Sequence, residues 1–409
     1  MNRINRCHHF KRSLNSLEKA RIVLGIETSC DDTAVAIVNS EKKILATRNY
    51  SKKDVQVKLG GICPDVTAQI HRNFIDKAVN ECVQEANLRF SDLDAIACTT
   101  RPGLVMCLKV GANKGVQLAQ KYKLPLIPVH HMRAHSLSAG LDKDVHLRYP
   151  FVTILISGGH ALIAIAKSPS DFDLIGETEN GSPGECLDKI GRALKITKMP
   201  EFDKIHPGAA IEMLASEAKG EQDYFEYVVK FPSTGGPNFH FTNLKGSFLT
   251  MIKQLDTDSI NLVSMCASVQ FTVTAHLCQK VHLALETLRF RGTDANQIVV
   301  SGGVASNQFI KNALSKVAKH HKFELIVPPK HLCTDNGEMI AWAGLEILRI
   351  QDNASIINNI HNYIFVNDKE LIGKDLTKNW GPPKPVKRIV LRSLLPFYDS
   401  LIVKNIHAV

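Results

Sequence analysis

Two histidines in one short block have the spacing of metal ligands. His131 and His135 follow an apolar run, Leu124 to Val129, that predicts a strand. On a helix, residues four apart lie on one face, one turn apart, so both imidazoles can bind the same ion. Two ligands alone do not complete a site, and a helix start that carries polar histidines is the alternative interpretation. Met132 occupies the position of the glutamate base in a zinc-protease helix, which argues against proteolysis.

Three carboxylates follow the first predicted strand, Val23 to Ile26. They are Glu27, Asp31 and Asp32. Carboxylates this close together repel one another unless a cation or a metal-bound phosphate balances them. The alternative is an ordinary solvated turn. The spacing therefore identifies a candidate catalytic turn without assigning a role to each acid.

Two glycine-containing segments are candidate phosphate-binding loops, because glycine lets an anion approach the backbone N–H groups. The first lies between two apolar runs and consists of Ser157, Gly158, Gly159 and His160. The second, residues 301–307, lies between a predicted strand and a predicted helix. Its last residues, Ser306 and Asn307, are candidates for helix capping, and Asn307 is also a candidate ligand of a ribose or base edge.

Two further acids lie at predicted helix starts. Asp335 is the second residue of the predicted helical stretch Thr334 to Leu348. Asp188 lies in the segment 183–189, at a turn-to-helix junction. Asp335 is either a helix cap or a third metal ligand that completes the histidine pair. Asp188 is either a residue of an ordinary amphipathic helix or a hydrogen-bond acceptor for a ligand hydroxyl.

The elements that must position these residues form a repeated pattern. Each half of the chain has a β-hairpin with a polar or glycine-rich tip, followed later by a strand, a glycine loop and a helix. The hairpins are Val23 to Ile26 with Ala34 to Val38, and Phe151 to Ile156 with Ala161 to Ala166; the later strands are Ala95 to Thr99 and Gln297 to Val300. The pattern resembles the superfamily of actin, the heat-shock chaperone ATPases and the sugar kinases.

That resemblance predicts an α/β fold of two duplicated RNase H-like lobes around a nucleotide cleft. We place the first lobe at residues 21–148, the second at 149–350 and a C-terminal extension at 351–409. The last helix of the second lobe could pack back on the first.

Composition indicates a globular protein of a reducing compartment. Hydrophobic residues make up 44% of the chain, and no apolar run reaches the roughly 18 residues of a membrane span. The ten cysteines include no Cys-x-x-Cys pair, so a structural zinc site is not predicted. A formal charge of +10 favours an anionic partner such as nucleic acid. Residues 1–20 hold five basic residues and one acid, as a mitochondrial presequence does; a disordered basic arm is the alternative.

Six motifs occur together in a fixed order and resemble one family, the tRNA threonylcarbamoyladenosine transferases. The match spans about residues 22 to 348, and its motifs are the segments 26–33, 130–135, 157–160, 184–189, 301–307 and 333–341. With the presequence, the chain resembles the mitochondrial branch of the family, which implies a location in the matrix.

The resemblance implies an acyl transfer. Threonylcarbamoyl-AMP from a separate synthase would donate its carbamoyl group to the exocyclic amine of the adenosine 3′ of the anticodon, in tRNAs that read codons beginning with A. His131, His135 and Asp335 would bind one divalent iron or zinc ion per subunit, and Asp31 or Asp32 would order its water or a phosphate. The residues implied to bind the adenylate are Ser157, Gly158, Gly159, His160, Asp188, Glu212, Ser306 and Asn307. The protein is expected to act as a homodimer.

Some residues depart from the family pattern. Arg133 replaces a usual glutamate between the two histidines, and Arg101 replaces a glycine before Pro102. A reversed charge beside the proposed ligands would either bind a substrate anion or lower metal affinity. These departures keep open a catalytically impaired tRNA-binding paralogue, or an ATPase or kinase of the same superfamily.

Overall fold

The computed structural model describes residues 20–52, 55, 62–203, 205–232, 235–256, 259–352, 354–358, 364–382 and 385–404. The predicted presequence, apart from residue 20, lies outside the described residues.

The first half of the chain forms a five-stranded sheet. Its strands are β1 (Ile22–Glu27), β2 (Thr33–Asn39), β3 (Ile44–Tyr50), β4 (Ala95–Arg101) and β5 (Leu126–His130). They lie in the order β3-β2-β1-β4-β5. The first three strands are antiparallel neighbours, whereas β4 and β5 run parallel to β1. Strands β1, β2 and β4 are buried along almost their whole length, because helices cover both faces of the sheet.

The second half repeats this arrangement. Its strands are β6 (Phe151–Ile156), β7 (Ala161–Ala166), β8 (Phe172–Asn180), β9 (Phe239–His240), β10 (Gln297–Ser301), β11 (Glu324–Ile326) and β12 (Lys374–Asp375). The order β8-β7-β6-β10-β11 and its strand directions match those of the first sheet. The predicted α/β fold of two duplicated RNase H-like lobes is therefore confirmed.

Helices connect and cover the two sheets. The described helices are α1 (Pro64–Glu85), α2 (Val105–Tyr122), α3 (His131–Leu137), α4 (Pro183–Ala193), α5 (Pro207–Ala215), α6 (Phe241–Gln254), α7 (Leu262–Phe290), α8 (Gln308–His320), α9 (Lys330–Cys333) and α10 (Gly337–Arg349). Within the described residues, none is both long and apolar enough to cross a bilayer.

Helix α10 follows β11 of the second sheet in sequence but packs on the first sheet. A side chain at Gly25 of β1 would place its Cβ 2.3 Å from the backbone nitrogen of Ala341, and one at Gly337 would place it 2.5 Å from the nitrogen of Ala36. The helix and the sheet therefore meet backbone to backbone. Residues of α10 share one apolar cluster with Val23 of the first sheet and Leu155 of the second. This contact joins the two lobes.

The segment after α10 continues across both lobes. Ile357 exchanges two backbone hydrogen bonds of 2.9 Å with Leu126 of β5. Strand β12 then pairs with β8 of the second sheet, and β13 (Arg388–Ile389) pairs with β14 (Val403–Lys404). The lobe boundaries at 148 and 350 stay a prediction.

We expect Gly25→Ala to destabilise the protein by about 1–3 kcal/mol or more, because its methyl group would collide with the backbone of α10. Urea unfolding measures the loss. Gly246→Ala is the matched control, because Gly246 lies in α6 with no atom near its Cβ position. That variant should gain roughly 0.5–1 kcal/mol. Equal unfolding midpoints for the two variants would contradict the backbone contact.

Candidate active site

Three donor groups from distant parts of the chain meet at the start of α3. His131, His135 and Asp335 each offer a ligand atom, and these atoms all lie within 4.8 Å of one another. The Oδ1 atom of Asp335 is 3.0 Å from Nε2 of His135 and 3.6 Å from Nε2 of His131. The two imidazole rings are nearly perpendicular, with centroids 4.7 Å apart. The predicted one-turn spacing on a helix is present, and the third group lies where both rings converge.

The local sequence explains how Asp335 reaches this point. Asn336, and not Asp335, caps α10, because its Oδ1 accepts a hydrogen bond of 2.7 Å from the backbone nitrogen of Met339. Asp335 precedes the cap, so its carboxylate is free to face the histidines. The backbone contact of α10 with the first sheet then fixes its position over α3.

Glu27 orients one of the two histidines. Its Oε2 lies 3.3 Å from Nδ1 of His131, and Ser29 Oγ lies 3.2 Å from the same nitrogen. An ionised carboxylate only accepts hydrogen bonds, so the His131 proton resides on Nδ1 and Nε2 faces Asp335. A carboxylate behind a ligating imidazole is a common outer partner of protein metal sites. The donor set therefore fits a divalent ion bound through two Nε2 atoms and one carboxylate oxygen.

Charge is balanced inside this group. Burial opposes the ionisation of Glu27, whose side chain is 1% exposed, but attraction to His131 brings its pKa below the ordinary value. Burial likewise opposes the charge on His131, but Asp335 and Glu27 together raise its pKa to about 9. Despite burial, His131 and His135 lower the pKa of Asp335. Without a metal, a protonated His131 balances the buried carboxylate of Glu27 and the partly exposed carboxylate of Asp335. A bound divalent ion would displace that proton.

The first glycine loop is the tip of the β6–β7 hairpin. Ser157 Oγ accepts hydrogen bonds from the backbone nitrogens of Gly159 and His160, at 3.3 and 3.1 Å. No atom lies near the Cβ position of Gly158 or Gly159, so the backbone of the tip is open. His160 is exposed at the tip, but partial desolvation by neighbouring protein atoms, with repulsion from His131, lowers its pKa. The loop therefore lies within electrostatic reach of the histidine centre.

Asp188 lies on α4, the helix that starts beneath this loop. Gly184 of α4 donates a hydrogen bond of 3.2 Å to the Ser157 carbonyl, and a Cβ at Gly184 would lie 2.7 Å from Cα of Gly158. Arg192 binds the Oδ2 atom of Asp188 at 2.9 Å. The Oδ1 atom is buried without a hydrogen-bond partner among the described residues, although Nε2 of His206 lies 3.7 Å away. That oxygen can accept a hydrogen bond from a ligand hydroxyl.

The second glycine loop is joined to α5. The Oε1 atom of Glu212 accepts a hydrogen bond of 2.6 Å from the backbone nitrogen of Gln308 at the start of α8. Ser306 is exposed, and its hydroxyl donates to the Gly303 carbonyl at 2.7 Å. Asn307 caps α8 through Ile310 and donates to Gln270, at 3.0 and 2.8 Å. Both ends of its side-chain amide are thus occupied within the protein, as the capping interpretation requires.

Asp31 and Asp32 lie in the turn between β1 and β2 and are partly exposed. The structure places Glu27 and Ser29 in contact with His131. The sequence alone places Glu27 among three candidate acids without a separate role. The available signal was a glutamate at the end of a buried strand, where an ionised carboxylate needs a positive partner. The catalytic roles of Asp31 and Asp32 stay a prediction.

The two arginines that depart from the family pattern bind the C-terminal extension. Arg133 Nε donates 2.7 Å to the carbonyl of Ile372, and its guanidinium stacks on Phe172. Arg101 Nε lies 2.6 Å from the Glu370 carboxylate. Neither contact is directed at the His131–His135–Asp335 group. Their positive charges thus serve to attach residues 370–372 next to α3.

The duplicated lobes and the His–His–Asp group define a two-lobe α/β protein with a candidate metal centre. The sequence model described as tRNA N6-adenosine threonylcarbamoyltransferase matches residues 43–342. The chain belongs to this family, and the predicted activity as a tRNA-modifying transferase is confirmed.

Curated relatives match most of the chain. A Caenorhabditis elegans protein named probable mitochondrial tRNA N6-adenosine threonylcarbamoyltransferase is 43% identical over 358 residues, which cover 86% of this chain and 84% of the relative. The human mitochondrial tRNA N6-adenosine threonylcarbamoyltransferase is 37% identical over 389 residues, covering 91% and 92%. A Xenopus tropicalis relative of the same name is 36% identical, covering 90% and 92%. The names of these relatives support a mitochondrial location.

We expect Glu27→Gln to lower the pKa of His131 in metal-free protein, because the variant removes one of the two carboxylates that raise it. NMR titration of the histidine ring protons measures this pKa. Since the folded value is about 9 against 6.5 for a free imidazole, the charge stabilises the metal-free fold below pH 6.5. That stabilisation is lost as the pH rises through 9. Asp31→Asn is the control and should leave the pKa of His131 almost unchanged.

We expect Arg133→Ala to lower the free energy of unfolding by about 1–3 kcal/mol, because it removes a charge-assisted hydrogen bond to Ile372. Hydrogen exchange should increase in residues 364–376, and zinc affinity should stay unchanged. The exposed Arg72 offers a control, Arg72→Ala, with neither effect expected. A large change in zinc affinity with unchanged exchange would instead place Arg133 in the metal site.

Proposed function

We propose that the chain transfers the threonylcarbamoyl group of threonylcarbamoyl-AMP to the exocyclic amine of the adenosine 3′ of the anticodon, in mitochondrial tRNAs that read codons beginning with A. The convergence of His131, His135 and Asp335 beside an open glycine hairpin carries this proposal. Membership of the family supplies the reaction class.

The proposed metal site consists of His131, His135 and Asp335. When bound, a divalent iron or zinc ion would polarise a carbamoyl or phosphoryl oxygen and balance the charge of departing AMP. Glu27 holds the His131 proton at Nδ1, so that Nε2 stays directed at Asp335. Imidazole and carboxylate donors suit both metals, so the residues alone do not choose between iron and zinc.

The proposed adenylate site extends from the hairpin to the second glycine loop. The backbone at Ser157, Gly158, Gly159 and His160 would bind the phosphate. The Oδ1 atom of Asp188, which has no hydrogen-bond partner among the described residues, would accept a hydrogen bond from a hydroxyl of the ligand. Glu212 and Ser306 would contribute at the second loop. The side chain of Asn307 is already hydrogen-bonded within the protein, so its backbone would contact the nucleotide.

The transfer forms one bond and breaks another. The adenosine N6 attacks the carbamoyl carbon, the bond from that carbon to the phosphate oxygen breaks with its electron pair going to AMP, and N6 releases a proton to water. An adenine amine is a weak nucleophile, so its placement against the activated donor supplies much of the rate. Asp31 or Asp32 would order water or phosphate beside the reacting atoms.

We also propose a location in the mitochondrial matrix and a homodimeric state, both from the family resemblance. The net charge of +10 suits a tRNA substrate, since basic side chains neutralise its phosphates. The adenylate would come from a separate synthase.

Cells that lack the protein provide the test. The wild-type chain should restore threonylcarbamoyladenosine in mitochondrial tRNA, and His131→Ala/His135→Ala should not, because it removes two of the three donors. Mass spectrometry of tRNA nucleosides measures both outcomes. His146→Ala changes an exposed histidine outside the site and should restore the nucleoside fully. A double variant that still restores it would eliminate the metal assignment. Unchanged levels in cells without the protein would eliminate the function.

A further inference from the structure

A second group of metal-binding side chains lies on the second lobe. His282 and Glu286 are one turn apart on α7, and His320 and His321 lie at the C-terminal end of α8. Each of the four offers one ligand atom, and these atoms lie within 4.8 Å of one another. None of the four belongs to the active site described above.

The histidines of this group pack against one another. Nδ1 of His282 lies 2.9 Å from Nε2 of His321, and Nδ1 of His321 lies 3.6 Å from a Glu286 carboxylate oxygen. The ring of His320 lies 5.0 Å from that of His321 and 6.0 Å from that of His282. The His321 side chain is 3% exposed, whereas His320 faces solvent. The group is thus buried on one side and open on the other, so an ion can reach it.

A backbone carbonyl fixes the orientation of His282. Its Nε2 lies 2.8 Å from the carbonyl oxygen of Lys387, which only accepts hydrogen bonds, so Nε2 carries the proton. In the neutral ring, Nδ1 then presents a lone pair towards His321. A ligating histidine usually donates its other ring N–H to a carbonyl or carboxylate, as His282 does here. Its Nδ1 accepts the hydrogen bond of His321 Nε2, and a bound ion would replace that bond and take up both nitrogens as ligands.

The surroundings also suit a cation. His320 and His321 follow the last turn of α8, where the helix presents its unpaired carbonyl groups and the negative end of its dipole. Glu286 adds a negative charge, while Arg289 opposes a cation. Three imidazoles and one carboxylate are a donor set typical of zinc.

We propose that His282, Glu286, His320 and His321 bind a zinc-like divalent ion that holds the C-terminal extension on the second lobe. The link to the extension is direct, because Lys387 immediately precedes β13 and accepts the hydrogen bond of a proposed ligand. An ion bound to His282 would strengthen this hydrogen bond by withdrawing charge from the ring. The site has a structural role and is separate from the transfer reaction.

Metal content of the full chain tests the proposal. Purified protein loaded with Zn²⁺ and dialysed should hold two ions per chain, and the His131→Ala/His135→Ala variant should hold one. Adding His320→Ala to that variant should lower the zinc affinity of the remaining site by roughly 10- to 100-fold, and chelator competition measures this affinity. Glu286→Gln, which leaves all the histidine contacts in place, should weaken the same site. His146→Ala is the matched control and should have no effect.

Two outcomes would overturn the proposal. The His131→Ala/His135→Ala variant could hold no zinc, or its zinc affinity could be unchanged by both His320→Ala and Glu286→Gln. Either result would leave the four residues as a hydrogen-bonded cluster only. If wild-type protein holds a single ion that His320→Ala weakens and His131→Ala/His135→Ala does not, this site is supported and the active-site metal fails.

Hydrogen exchange tests the link to the extension. Removing Zn²⁺ from the His131→Ala/His135→Ala variant should increase exchange in residues 385–404, and the His320→Ala addition should abolish that dependence on zinc. Exchange in this segment that does not depend on zinc would contradict the anchoring role.

Discussion

The close contact between helix α10 and strand β1 determines the geometry of the active site. Gly25 and Gly337 leave no room for a side chain, so the helix lies against the sheet at the distance set by the two backbones. Asp335 immediately precedes this helix and therefore has little freedom. The histidines start from the end of β5 in the same sheet. The first sheet therefore positions both the two histidines and Asp335, although 200 positions separate His135 from Asp335 in the chain.

Burial of the donor group requires that each of its charges has a partner of opposite charge. Glu27 is almost inaccessible to solvent, and an unpaired carboxylate there would cost several kcal/mol (roughly, by the desolvation of an ion). His131 removes this cost by lying between Glu27 and Asp335. The same arrangement prepares the site for a cation, since two carboxylates remain in place when the imidazole proton leaves. Affinity for metal and stability of the metal-free fold are therefore two consequences of one charge balance.

The repeating hairpins and the histidine spacing were predictable because each depends on local sequence. The observed hairpin strands Phe151–Ile156 and Ala161–Ala166 have the predicted bounds, and α3 begins at His131. The position of Glu27 at the end of a buried strand was a signal, but its role was not predictable, since its partner His131 lies 104 positions away in the chain. Only the packing of β1, β4 and α3 shows which acid faces inward. The position of Arg133 in the sequence suggested a role at the metal site for the same reason. Its actual partner, the Ile372 carbonyl, is far away in the chain and belongs to no motif.

The position of α10 also has a consequence for the order of folding. The first sheet needs this helix to cover one of its faces, where Val23, Val38 and Ala97 pack against it. During synthesis, however, α10 emerges more than 200 residues after β5 is complete. The N-terminal lobe therefore cannot finish its core as an independent unit, and its apolar face stays uncovered until most of the chain is available. Chaperones that shield this face would act on the N-terminal half of an incomplete chain.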